Sequence, residues 1–276
     1  MLRASVFQAE YGFIGGGAVN ASLVGSLLNG NRRLGPVAAV SYRLASRIAN
    51  GLRAGRPART ADELDAVRLI FFHSPPDQSD GLISILKAAK INWHGKSIVF
   101  CECEVGESAA NYFRDLGATI AIVRRCAVPG RVILEGTAPA LTFAHRMARE
   151  IGLKPIEILS GAGSLFGAAV TLGSGALTPL IDRAAAMLRE CGIRDTEAVK
   201  LAAALFEQTV REYAHSGKQS WSWHIQEPCA ERLEAEIAAA GDGLKLIFRE
   251  LLLLGFEGFE KHPATSRALR SVKASE

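Results

Sequence analysis

At 276 residues the chain is long for one small core and comfortable for two domains. Its 49% hydrophobic and 22% charged residues are the balance of an ordinary soluble enzyme. A net charge of +4 without a basic tract suits an anionic small ligand and argues against a nucleic-acid partner. Residues 1–10 lack the apolar core of a signal peptide. The five cysteines are odd in number and follow no framework spacing, so reduced thiols in a cytoplasm are expected.

Phe13-Ile14 reads as a short buried strand. It runs into Gly15-Gly16-Gly17-Ala18-Val19-Asn20, and an apolar-periodic stretch with Leu23, Val24, Leu27 and Leu28 follows at once. Strand, glycine turn and helix in that order are what a dinucleotide-binding βα turn requires, with free N–H groups at the helix start aimed at a pyrophosphate. The backbone from Gly15 to Asn20 is therefore the expected pyrophosphate cradle. Asn20 stands where the G-x-G-x-x-G pattern has its third glycine, and a plain turn is the alternative reading.

Residues 36–40 read as the next buried strand, ending in Ser41-Tyr42-Arg43. An NAD site places an acid about 20 residues past the glycines, on the ribose 2′-hydroxyl, whereas an NADP site places Arg there for a 2′-phosphate. No acid occurs between Tyr11 and Thr60, the first being Asp62. Ser41 and Arg43, with Arg32, Arg33 or Arg47 as helpers, are thus the expected 2′-phosphate ligands, and NADP the expected cofactor.

Further strands are expected at Leu69–Phe72, closed by Ser74-Pro75-Pro76, then at Ser97–Phe100, Thr119–Val123 and Ile156–Leu159, with helices at Gly81–Ala89, Ala109–Leu116 and Pro139–Glu150, the last capped by Thr137. Apolar runs without strict alternation are strands covered on both faces, hence a doubly wound, mostly parallel sheet. Cys101-Glu102-Cys103 has chelating atoms, but no second Cys/His pair accompanies it, so no metal site is expected.

The pattern changes near Ser160. The charge-free run from Ile158 to Ile181 is long enough to span a bilayer, yet its five glycines fit a strand end, a glycine-rich turn and a buried helix better, so no membrane is expected. Helical periodicity continues over Leu177–Cys191, Thr196–His215, Glu231–Ala240 and Leu244–Lys261, followed by a frayed tail after Pro263. The expected division is residues 1–160 for the nucleotide and 161–276 for an all-α domain. The last helix is apolar nearly all round, which suits a homodimer.

Several segments together resemble the pyrroline-5-carboxylate reductases. Tyr11–Gly17, Ser26–Gly30 and Val40–Arg43 resemble that family's GFIGaGnMaeAl…GLl.sG…vsdR opening. Arg124–Gly136 matches its RvMPNtPa.vgEG segment without a gap, and Ala169–Ala176 resembles its TALSGSGPA helix. The resemblance implies a Rossmann domain, a helical C-terminal domain of the 6-phosphogluconate-dehydrogenase type, an intertwined dimer, and NAD(P)H as hydride donor to a cyclic imine or related small molecule, the chemistry of proline biosynthesis. Cys126-Ala127-Val128 replaces the family's MPN, and its SPGGTT loop has no counterpart, the nearest segment being Trp221–Pro228.

Ser174 is the candidate polar group beside nicotinamide and substrate, and Ser74 with Pro76 would edge the adenine–ribose side. His73, at the end of a buried strand, is either a ligand or structural. Two other functions are compatible with the chain. One is a non-catalytic NADP-binding sensor or scaffold. The other is a 2-hydroxy or β-hydroxy acid dehydrogenase, against which stands the absence of lysine between Lys154 and Lys200.

Overall fold

The computed structural model describes residues 11–103, 105–220, 230–258 and 270. The chain divides into two compact units, Met1–Val170 and Thr171–Glu276. The first is built on eight strands: β1 (Tyr11–Gly15), β2 (Leu34–Ala38), β3 (Arg56–Pro57), β4 (Leu69–His73), β5 (Ser97–Cys101), β6 (Thr119–Arg125), β7 (Arg131–Gly136) and β8 (Lys154–Ile158). Their spatial order is β3-β2-β1-β4-β5-β6-β7-β8, and every pairing is parallel except β6 with β7. This is the doubly wound, mostly parallel sheet expected of the sequence.

Both faces are covered, which is why the central strands are apolar without interruption. Helices α1 (Leu23–Leu28), α2 (Tyr42–Leu52) and α5 (Ala140–Glu150) supply Val24, Leu28, Leu52, Ala144 and Met147 to a core with Phe13, Phe71, Val99 and Val123. On the other face α3 (Ser79–Ala88) and α4 (Glu107–Asp115) bring Leu82, Leu86 and Phe113 against Ile14, Phe72, Phe100 and Ile120. Neighbouring residues such as Phe13 and Ile14 enter opposite cores, as the two-residue period of a strand dictates.

Several elements depart from the sequence reading. β2 ends at Ala38, and Val40 is 52% exposed, because the chain leaves the sheet to set Ser41 as a helix cap. β7 was not anticipated: three apolar residues, Val132-Ile133-Leu134, bracketed by Arg131 and Glu135 are too short a run to stand out in sequence. Thr137 does not cap α5 with its side chain; Pro139 is the N-cap, and the Thr137 carbonyl accepts the Leu141 amide at 3.0 Å.

After β8, helix α6 (Gly163–Val170) leads through a π-helical turn (Thr171–Gly175) into α7 (Leu177–Glu190). The helix expected here was a buried one. Instead α6 has no buried residue and α7 has only Ala185, while Leu165 and Leu172 are 75% and 71% exposed. The run Gly163–Glu190 is long and apolar enough to cross a membrane by length and composition. The second unit continues with α8 (Asp195–Ser216), α9 (Ala230–Ala239) and α10 (Asp242–Gly258), and its described residues contain no strand. Leu233 and Ile237 of α9 bury Leu252, Leu253 and Phe256 of α10. The tail after Pro263 and the Trp221–Pro228 segment lie outside the described residues.

Candidate cofactor-binding site

β1 is connected through α1 to β2 on one side and lies beside β4 on the other, so the strand order reverses at the carboxyl ends of β1 and β4. Open α/β sheets bind ligands in that crevice. The glycines at its floor are there for space. A Cβ on Gly15 would sit 2.3 Å from the His73 carbonyl oxygen, and one on Gly16 would sit 2.5 Å from Gln78 Oε1. Gly17 adopts φ +72°, and its Cβ would meet Pro75 Cγ at 2.5 Å. The Gly16 amide donates to the His73 carbonyl at 3.0 Å, which fastens the turn to β4. Among the described residues the Gly17 and Ala18 amides have no acceptor.

The glycine turn does not open directly into an α-helix. Val19, Asn20 and Ala21 form one 3-10 turn, Ser22 is extended, and α1 starts only at Leu23. Ser22 Oγ caps α1 by accepting the Gly25 amide at 3.0 Å. The close approach that the third glycine of the motif provides elsewhere is provided here by Gly25, whose Cβ would lie 2.0 Å from the Val19 carbonyl oxygen. Asn20 instead has its side-chain amide 2.9 Å from the place of a Cβ on Gly51 of α2.

At the end of β2, Ser41 Oγ accepts the Leu44 amide at 3.3 Å and starts α2. Arg43 lies in the first turn of that helix with Arg47 one turn on; both are exposed, and no carboxylate lies in the turn. Arg32 and Arg33 precede β2, and Arg33 donates to the Tyr11 hydroxyl at the start of β1, so this pair belongs to the far end of the strands.

Ser74 is buried and its hydroxyl donates to the Pro75 carbonyl at 2.8 Å, so the side chains that meet the glycine turn are Pro75 and Gln78. Pro76, exposed, begins a short 3-10 turn before α3. His73 Nδ1 donates to the Cys101 carbonyl at 2.9 Å, which fixes the ring at the mouth of the crevice. Burial pushes the Cys101 thiol well above its ordinary range, with Cys103 and Glu102 adding to the effect. Cys101 and Cys103 also enter opposite cores, so their sulfurs do not converge as a chelate.

Two charged residues at this end of the sheet carried no signal in the sequence reading. Glu102 follows β5 and Arg125 ends β6, and their side chains form an ion pair. Glu102 Oε2 accepts the Leu23 amide at 2.5 Å, and Arg125 donates to the Ala21 carbonyl at 2.9 Å. Its neighbour Arg124 pairs with buried Glu135 at 2.6 Å, and Glu135 accepts the Gly161 amide at 2.7 Å. Cys126-Ala127-Val128 follows β6 with Val128 exposed. Ser174 lies in the exposed π-helical turn of the other unit, where its carbonyl accepts the Thr178 hydroxyl at 3.2 Å.

Residues 131–221 match a family described as a domain of unknown function (DUF2520). No curated protein matches the chain in sequence. Among solved structures, an imine reductase from Aspergillus terreus superposes with a TM-score of 0.62 at 17% identity, over 96% of this chain and 94% of that one. A reductive aminase from Aspergillus terreus in complex with NADPH and ethyl-5-oxohexanoate gives 0.59 at 17% identity, over 97% and 94%. An imine reductase from Myxococcus stipitatus in complex with NADP+ gives 0.56 at 19% identity, over 96% and 94%. These likenesses establish the fold: a Rossmann-type sheet domain followed by an all-helical one.

Proposed function

We propose that the chain is an NADPH-dependent oxidoreductase that transfers hydride to the carbon of an imine or a related small molecule. The observation that carries the reading is the glycine turn at the β1–β4 crevice, where a Cβ on Gly15 would strike the His73 carbonyl and one on Gly17 would strike Pro75, and where, among the described residues, the Gly17 and Ala18 amides lack an acceptor. Such a turn lets backbone approach a pyrophosphate. Three fold relatives support it, being imine reductases or a reductive aminase, two of them bound to NADPH or NADP+.

In this reading residues 1–160 hold the coenzyme and 161–276 form the substrate and dimerisation domain. The Gly15–Asn20 backbone holds the pyrophosphate, Ser41 and Arg43 bind the 2′-phosphate, and Pro76 edges the adenine–ribose side, while Ser74 is buried and does not reach it. Arg43 has no carboxylate in its turn to compete with the phosphate. Ser174 is the polar group offered to substrate and nicotinamide. The bound coenzyme would supply the hydride, and the protein orientation and electrostatics. Holding the reacting carbons together is worth up to about 7–11 kcal/mol of barrier. The exposed apolar residues Leu165 of α6, Leu205 and Val210 of α8, and Leu246 and Leu254 of α10 support a homodimer.

A second reading is a non-catalytic NADP-binding sensor of the same fold. It is favoured by Val128, an apolar and exposed side chain where the pyrroline-5-carboxylate reductases carry an amide. Steady-state NADPH oxidation with pyrroline-5-carboxylate and a panel of cyclic imines separates the two. Turnover on any of them supports the enzyme. Saturable NADPH binding with no turnover across the panel supports the sensor.

A further inference from the structure

The carboxylate of Glu102 sits on the first turn of α1, three residues past the Gly15–Asn20 segment on which, in the reading above, an anionic diphosphate would lie. Glu102 adopts φ +55°, a left-handed conformation uncommon for a residue with a side chain. That conformation breaks the strand alternation after β5 and turns the carboxylate back onto the first turn of α1, where Oε2 takes the Leu23 amide and Oε1 takes Arg125 Nε. The Glu102 side chain is 11% exposed and that of Arg125 is 59% exposed. Arg125 also holds the Ala21 carbonyl, so it spans from the end of β6 to the segment leaving the glycine turn.

Only the Arg125 half of the pair is exposed, and a guanidinium in solvent adds modest stability, so fold maintenance does not by itself account for its placement. Its electrostatic effect on the crevice is larger. A carboxylate beside the glycine turn repels an anionic coenzyme, and the guanidinium cancels that repulsion while offering planar, multidentate donors of the type that bind phosphate. Arg124, next in sequence, is committed to Glu135 and turned inward.

We propose that Arg125 is a ligand of the coenzyme diphosphate, held beside the glycine turn by Glu102 until the coenzyme arrives. Glu102 is a positioning residue that weakens the coenzyme's attraction to the site and thereby sets its affinity. The proposal rests on the coenzyme reading, and the two variants have effects of opposite sign. Arg125→Ala leaves the Glu102 carboxylate uncompensated and weakens NADPH binding by about tenfold or more. Glu102→Gln frees the guanidinium for phosphate and tightens NADPH severalfold.

The test is a fluorescence titration of NADPH into wild type, R125A, R125K and E102Q at several ionic strengths, with thermal melts to confirm folding. Support is weaker binding and a flatter salt dependence in R125A, a smaller loss in R125K, which keeps the charge and loses the planar fork, and tighter binding in E102Q. If wild type binds NADPH but E102Q is unchanged or weakened, the pair is a structural tie and this inference alone is overturned. If wild type binds no NADPH at all, the coenzyme reading falls and this inference with it.

Discussion

Gly25 and Val19 stand closer than any side chain on Gly25 would permit, since a Cβ there would lie 2.0 Å from the Val19 carbonyl oxygen. Alanine ordinarily stabilises a helix by about 1 kcal/mol over glycine. Here the crowding reverses the sign, because the atom in the way is backbone and cannot rotate aside. Gly25→Ala is expected to cost about 1–3 kcal/mol in urea denaturation and to weaken NADPH binding by displacing the turn at Val19. A stabilised Gly25→Ala protein would contradict the packing described.

The Arg124–Glu135 pair is 13% and 6% exposed and also anchors the Gly161 amide. Glu135→Ala removes the buried carboxylate that holds both the Arg124 guanidinium and the Gly161 amide, and is expected to destabilise by about 3–5 kcal/mol in chemical denaturation. A loss below about 1 kcal/mol, the range of surface pairs, would show that the pair is solvated.

Asp65 gives a pH signature. Its carboxyl is held below the ordinary value of 3.8, chiefly by the hydrogen bond from the Asn92 amide and also by Lys96. A depressed folded-state pKa contributes stability that is complete above the unfolded value and is lost as pH falls through the folded one. Asp65→Asn should therefore lower the melting temperature near neutral pH, with the difference from wild type closing below about pH 4. A difference that persists unchanged in acid would point to packing, not charge.

The sheet was legible in the sequence because Leu69–Phe72, Ser97–Phe100 and Thr119–Val123 are short apolar runs bounded by turn residues, the pattern of strands covered on both faces. β7 was not, because three apolar residues between charges give no period to read. At the crevice the glycines were visible as residue types at a known spacing, and Arg43, read from the same spacing, lies in the first turn of α2. Gly25 was not, because its role depends on the 3-10 turn that separates the glycine turn from α1. Glu102 and Arg125 were invisible for a related reason: they meet the turn from strands 79 and 104 residues away along the chain. The charge-free run through Leu165 and Leu172 was read as buried because apolar composition signals cover, but not which molecule provides it.

If a second copy covers that run, one charge placed in it should separate the subunits. Leu172→Glu is expected to move the protein from dimer to monomer in sedimentation equilibrium, with the secondary structure unchanged by circular dichroism. Wild type sedimenting as a monomer at all concentrations would exclude the dimer.

Arg43 separates the two coenzymes. If it binds the 2′-phosphate, Arg43→Ala should weaken NADPH by about tenfold or more, through loss of a charge-assisted hydrogen bond, and leave NADH nearly unchanged. Equal losses for both coenzymes would remove Arg43 from the phosphate site.

Titration calorimetry of the folded wild-type protein with NADPH and NADH tests the central claim most directly. Saturable heat with NADPH at about micromolar affinity, and weaker binding of NADH, is the outcome the glycine turn and Arg43 predict. Heat from neither coenzyme would contradict the assignment of the β1–β4 crevice to a phosphorylated dinucleotide.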